Sequence, residues 1–290
     1  MIDFEETARI LKNNLRLICS DSEALLEEKQ ILIKEHIGAI IADATSPEAA
    51  IEQALALYRN VSDDGTARNY GEIDEKLLIS KMLLDKFPLS LLAREYNIAP
   101  FPSDANIAYL NATGLTASVC QKLHQHFPDW KYLHTESYTE ICEMVSDSVC
   151  EFGVLPIENS ADGRLNGFYR MIDRFDLKIC AVCDIEDETK DIITRFAVVA
   201  DRHYQIADGD PVYIEISLTA NPLGISDMVS VARYLALPIV RLSSMPLYYS
   251  ENAHIDNITI ALSKDALAKF LLFLHLFHKE ATILGFYFQM

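Results

Sequence analysis

Phe152–Ser160 reads FGVLPIENS. Its first six residues carry no charge and no amide, and they are flanked on both sides by polar turns. Such a short apolar run reads as a strand buried on both faces of a sheet. It stops at three polar residues, Glu158, Asn159 and Ser160. Polar side chains at the carboxyl end of a buried strand stand where open α/β sheets hold ligands.

Outward from this strand, apolar periodicity alternates between two and 3.6. The pattern predicts strands at 107–110, 131–135, 177–183 and 194–200, with helices at 117–127, 139–147 and 165–175. Alternation of this kind predicts a mostly parallel sheet covered by helices. Beyond Asp208-Gly209-Asp210-Pro211, a turn sequence, the order becomes strand, helix, strand, strand, helix, strand, the ferredoxin-like order. Before Pro100-Phe101-Pro102-Ser103 the chain reads as helices. Ser46-Pro47-Glu48 is a helix start with Ser46 as N-cap, and a further helix is expected from about Ile73 to Tyr96. The expected fold class is therefore α/β plus α+β, in three parts: a helical domain over 1–100, an α/β domain over 101–208 and a ferredoxin-like domain over 209–290.

The 290 residues include 43 acids against 25 bases, a formal net charge of -18. Such a surface repels phosphate backbones and anionic lipid, which argues against nucleic-acid and membrane partners. No apolar run approaches the roughly 20 residues that cross a bilayer. The N-terminal residues carry acids where an export signal is positive, so a cytoplasmic location is expected. Cys180-Ala-Val-Cys183 has CxxC spacing but lies in a strand, where alternation sends the two thiols to opposite faces. Reduced core thiols are the better reading, and no metal or cofactor is implied.

Three stretches resemble the prephenate dehydratase family. FGVLPIENS is similar to its hallmark strand and loop, and Thr194-Arg195-Phe196 to its Thr-Arg-Phe signature. Leu284-Gly285-Phe286-Tyr287 is similar to the Leu-Gly-x-Tyr ending of the ACT domain that follows in that family. The resemblance runs from about residue 106 to the C-terminus. It implies a periplasmic-binding-protein-like α/β lobe followed by an ACT-type regulatory domain. It also implies loss of water and carbon dioxide from prephenate to give phenylpyruvate, a step of phenylalanine biosynthesis. On this basis Thr194 is the expected catalytic residue, supplying a proton or hydrogen bond to the leaving hydroxyl. Asn159, Ser160, Glu158, Arg195 and Thr116 are expected at the substrate. Leu223, Ser244 and Pro246 fall in the segments that correspond to the effector-binding turns. A small-molecule substrate or amino-acid effector, and pairing into a homodimer or higher oligomer, are the implied partners.

The chain also departs from that pattern. Fewer than forty residues separate Ile157 from Thr194, so the second lobe of the family has no room, and one lobe is expected. In the loop after the first strand only Gly114 is kept. Phe168 stands where the family has a threonine, and Arg170 where it has an aspartate. Two alternatives therefore stay open: a non-catalytic amino-acid-binding regulatory protein, and a chorismate mutase in the helical N-terminal domain. For a mutase, Arg9, Arg16, Lys29 and Lys34 are the candidate cations.

Overall fold

The computed structural model describes residues 30–31, 33–62, 72–86, 96–110, 114–187, 191–206, 212–219, 222–246 and 254–290. The chain divides into two compact units, Met1–Pro88 and Leu89–Met290. The first contains α1 (33–43), α2 (Pro47–Ser62) and α3 (Glu72–Lys86). Ser46 starts α2 as its sequence predicts, with Ser46 Oγ accepting from the Ala49 N–H at 3.2 Å. Ile37, Ala54, Leu55, Ile79 and Leu83 are buried. Of the candidate mutase cations, Lys34 is exposed on α1, and Arg9, Arg16 and Lys29 lie outside the described residues. The boundary turn at 208–211 lies outside them as well.

The second unit runs β1 (Ile98–Ala99), β2 (Asn106–Leu110), α4 (Gly114–His126), β3 (Lys131–Thr135), α5 (Tyr138–Ser146) and β4 (Phe152–Asn159). It continues through β5 (Gly163–Arg164), α6 (Asn166–Phe175), β6 (Lys178–Asp187), β7 (Ile192–Ala200) and β8 (His203–Tyr204). The last part is β9 (Val212–Thr219), α7 (Pro222–Tyr234), β10 (Ile239–Pro246), β11 (His254–Leu262), α8 (Lys264–Phe277) and β12 (Thr282–Gln289). Helix ends follow local chemistry. Ser137 caps α5 through the Glu140 N–H, Ser263 caps α8 through the Ala266 N–H, and α6 ends on Asp176 in a left-handed conformation.

Among the described residues, a ten-stranded mixed sheet runs β10-β11-β9-β12-β6-β7-β4-β2-β3, with β5 beside β4. Within the α/β part it is less parallel than the sequence pattern predicts. β2 pairs in parallel with β3 and β4, but β4–β7 and β6–β7 are antiparallel. The reason is local: only four positions separate the end of β6 from the start of β7, too few for the crossover element that keeps successive strands parallel. The last four strands stand in the order β12-β9-β11-β10, antiparallel throughout, as two interlocked split βαβ units.

β12 joins the two parts, pairing with β9 on one side and in parallel with β6 on the other. Gly285 sits at the joint. A Cβ there would lie 2.3 Å from the Ile179 carbonyl oxygen and 2.7 Å from its nitrogen, so the strands approach too closely for any side chain. A bulge in β6 between Ile179 and Ala181 lies at the same place. It also corrects the reading of the CxxC pair: Cys180 and Cys183 share one core cluster, because the extra residue shifts the alternation by one. Burial raises the pKa of both thiols, that of Cys183 to about 11, so they remain protonated core groups.

Two apolar cores lie on opposite faces of the sheet. α5 and α6 pack Ile141, Val145, Phe168 and Ile172 against Leu155, Val182 and Ala197. On the other face α4 packs Val119 and Leu123 against Val154, Cys183, Phe196 and Val198. That second core contains an aromatic stack, in which Phe152 lies 4.5 Å from Trp130 and 5.5 Å from Phe101 between ring centroids.

Candidate ligand site

The FGVLPIENS segment forms β4 and turns into β5, so Glu158, Asn159 and Ser160 stand at the carboxyl end of a central strand. The neighbouring strand β7 brings in the Thr-Arg-Phe stretch. Asn159 pairs directly with Thr194, and Glu158 with Arg195. Directly opposed residues of an antiparallel pair share a face, and successive residues alternate. Thr194 therefore stands on the face of Phe196, with Asn159, and Arg195 stands on the face of Ala197, with Glu158. The sequence places these residues in one site; the structure distributes them over two faces of one strand pair.

On the Thr194 face, Thr194 is buried, as is Thr116 in the first turn of α4, the helix covering this face. Asn159 closes the turn into β5. Its Oδ1 accepts from the Ala161 and Asp162 N–H groups at 3.0 and 2.6 Å, and its Nδ2 donates to Asp162 at 2.9 Å. Ser160 ties the same turn to β7, donating its N–H to the Ile193 carbonyl at 2.8 Å and accepting the Ile193 N–H on Oγ at 3.0 Å. Helix α6 begins at Leu165 without a side-chain cap, so these residues organise the β4–β5 turn rather than the helix start. Phe168 lies in the core against Tyr169. Its ring fills apolar space, in keeping with the loss of a hydroxyl at that position.

The other face carries a charged network. Arg195 grips Asp184 of β6 with two parallel hydrogen bonds, Nε–Oδ1 at 2.7 Å and a terminal nitrogen to Oδ2 at 2.8 Å. Its remaining terminal nitrogen lies 3.5 Å from Glu158. The hydrogen bond from Arg195 holds the Asp184 carboxyl below the usual range, against the opposing effect of burial. The same pairing pushes the Arg195 pKa up. Glu158 is also ion-paired with Arg241 of β10, and Gln289 of β12 donates to Asp184 at 3.2 Å. Beside them Tyr169 donates to the buried Glu215 of β9 at 2.8 Å.

Arg241, Asp184 and Glu215 are absent from the sequence-based list. Arg241 and Glu215 are each a lone charge inside an otherwise uncharged strand, and Asp184 ends the apolar run Ile179–Cys183; an unpaired charge there is costly, and that signal was available. The three residues in the expected effector turns lie in the last segment. Leu223 belongs to the first turn of α7, Ser244 donates to Asp256 across β10–β11, and Pro246 ends β10. Among the described residues no cluster of histidine, cysteine and carboxylate side chains forms a metal site.

Comparison with known proteins bears on the same segment. The family model for prephenate dehydratase matches residues 113–186. A bifunctional chorismate mutase/prephenate dehydratase from Enterobacter agglomerans is 24% identical over 173 residues, 58% of this chain and 44% of that protein. The chain thus spans less than half the length of that curated relative. The X-ray structure of prephenate dehydratase from Streptococcus mutans aligns with a TM-score of 0.52 at 23% identity, covering 63% of this chain and 98% of that one. A likeness at that identity concerns the fold. The prephenate dehydratase from Staphylococcus aureus subsp. aureus Mu50 aligns with a TM-score of 0.47 at 13% identity, over 63% of this chain and 99% of that one. The matched segment contains FGVLPIENS, and over it this chain is similar to the prephenate dehydratase family.

Proposed function

We propose that the chain is a divergent prephenate dehydratase-type protein of aromatic amino-acid biosynthesis, with its reacting site on the Thr194 face at the end of β4 and β7. The observation that carries this reading is the direct pairing of Asn159 with Thr194. It puts the family-like loop and the Thr-Arg-Phe stretch side by side although 34 positions separate them. In the reaction the ring hydroxyl leaves as water and the ring carboxylate as carbon dioxide, whose bonding electrons complete the aromatic ring. Thr194 is assigned to donate a hydrogen bond or proton to the departing hydroxyl. Asn159, Ser160 and Thr116 are assigned to the substrate's polar groups. Arg195 and Glu158 hold the strand ends from the opposite face.

In this reading residues 1–100 are a helical domain, 101–208 a single lobe of the periplasmic-binding-protein type and 209–290 an ACT-type domain. Leu223, Ser244 and Pro246 are assigned to its regulatory turns. The missing second lobe is supplied by a second copy of the chain, with the open edge strand β10 as the pairing element. A second reading, a non-catalytic relative that binds a small molecule and regulates a partner, is favoured by the engagement of the Asn159 and Ser160 side chains in the turn. Incubation with prephenate, following phenylpyruvate, separates the two readings.

A further inference from the structure

The dehydratase reading brings a substrate with two carboxylates to a chain of net charge -18, so the Thr194 face needs a cation of its own. Arg195, next to Thr194 in sequence, is committed elsewhere. It stands on the opposite face, its guanidinium shared between Asp184 and Glu158. Arg241 is committed to the same Glu158.

Lys122 meets the requirement. It is the one lysine or arginine of α4, the helix that packs on the Thr194 face through Val119 and Leu123, and it is partly buried. Its Nζ donates to the backbone carbonyl of Asp184 at 3.2 Å. No carboxylate among the described residues forms an ion pair with it. The Asp184 carboxylate senses its charge but is turned to the opposite face, into the grip of Arg195. A carbonyl occupies one of the three N–H donors of an ammonium, which leaves two for a ligand.

The position suits the site. Ile185, the residue after Asp184, is directly opposite Thr194 on β7. The Met290 N–H bonds to the Val182 carbonyl from the β12 side, and carbonyls two residues apart on a strand point the same way. The Asp184 carbonyl, and Lys122 with it, therefore lie just across β6 from Thr194. With strands about 5 Å apart, the ammonium and the Thr194 hydroxyl are separated by on the order of 10 Å. A six-membered ring bearing a short acid side chain bridges that distance with a hydrogen bond at each end.

We propose that Lys122 is the specificity-determining residue of the Thr194 site, its ammonium binding the carboxylate of the substrate's side chain. The proposal rests on the dehydratase reading for its substrate. The chemistry selects which carboxylate. A cation on the ring carboxylate would hold back the charge that has to leave as carbon dioxide, whereas the side-chain carboxylate is kept in the product. Bound alike before, during and after the reaction, it makes Lys122 act on KM rather than on kcat.

Steady-state kinetics of the full chain with prephenate, and calorimetry with phenylpyruvate, test this in the wild type, Lys122→Gln and Lys122→Arg. Glutamine keeps a donor for the Asp184 carbonyl and drops the charge; arginine keeps both. Lys122→Gln is expected to raise KM at least tenfold with kcat within threefold, and to weaken phenylpyruvate binding at least tenfold. Lys122→Arg should stay within threefold of the wild type in both measurements. A lysine that only supports the strand end gives another pattern, a lower midpoint of thermal unfolding with KM and phenylpyruvate binding unchanged, and that would overturn the proposal. A wild type that binds no phenylpyruvate would overturn it too, as would a Lys122→Gln loss confined to kcat. A wild type that binds phenylpyruvate through Lys122 but turns over no prephenate would end the dehydratase reading and leave the carboxylate site standing.

Discussion

Glu158 on β4 is ion-paired with Arg241 on β10, although β11, β9, β12, β6 and β7 lie between those strands in the sheet. Six strand spacings in a flat sheet amount to roughly 29 Å. The sheet therefore curls until its two parts meet face to face, and this pair fastens the concave side. A double-mutant cycle with Glu158→Gln and Arg241→Gln, read by urea unfolding, should give a coupling energy of about 1 kcal/mol. Both groups keep some solvent contact, which limits the value. Additive effects would show that the curl does not depend on the pair.

Gly285 is the position where β12 and β6 come closest. Gly285→Ala should destabilise the second unit by on the order of 3 kcal/mol, because a Cβ meets backbone rather than a yielding side chain. The midpoint of chemical unfolding measures this, and a shift below 0.5 kcal/mol would contradict the geometry.

His203 is buried and stacked on Phe286 at 4.4 Å between centroids, and burial lowers its pKa to about 3. The unfolded chain takes up this proton near pH 6.5 and the folded chain only near pH 3. Stability should be complete above pH 6.5 and fall between pH 6.5 and 3, by about 1.4 kcal/mol per pH unit for one proton. Asp184 acts lower on the scale. Its depressed pKa adds stability that is present above about pH 4 and lost as pH falls through its folded value. His203→Phe should flatten the decline between pH 6 and 4 in a series of denaturant melts while leaving the more acidic loss in place.

Among the described residues β10 has β11 on one side and no strand on the other, and it exposes Val240 and Leu242 by about half, at 52% and 53%. An open apolar edge of this kind pairs readily with a second copy. Light scattering at micromolar concentration should report a dimer for the wild type and a monomer for Leu242→Asp. A monomeric wild type would remove β10 as the pairing element.

Much of this architecture was legible beforehand because burial writes itself into periodicity. FGVLPIENS, the βαββαβ order and the Ser46 cap each rest on local chemistry that later packing did not override. Three features were hidden for a physical reason. Strand direction depends on the length of chain between strands, and the four positions between β6 and β7 turned a parallel expectation into an antiparallel pair. Side-chain faces depend on register, and one bulge at Ile179 moved Cys180 to the side of Cys183. Contacts across the curled sheet, such as Glu158 with Arg241, join residues 83 positions apart, and no local pattern encodes them. For the site, sequence named the β4 and β7 ends, but alternation divided Thr194 from Arg195.

The central claim is a dehydratase-type site built on Thr194, and the most direct measurement is phenylpyruvate formation from prephenate by the purified full chain, wild type against Thr194→Val. The Val substitution keeps the buried volume and removes the hydroxyl. The account predicts turnover by the wild type and a loss of at least a hundredfold in kcat for the variant, roughly the contribution of one positioned proton donor. A wild type that forms no phenylpyruvate, or a variant as fast as the wild type, would contradict it.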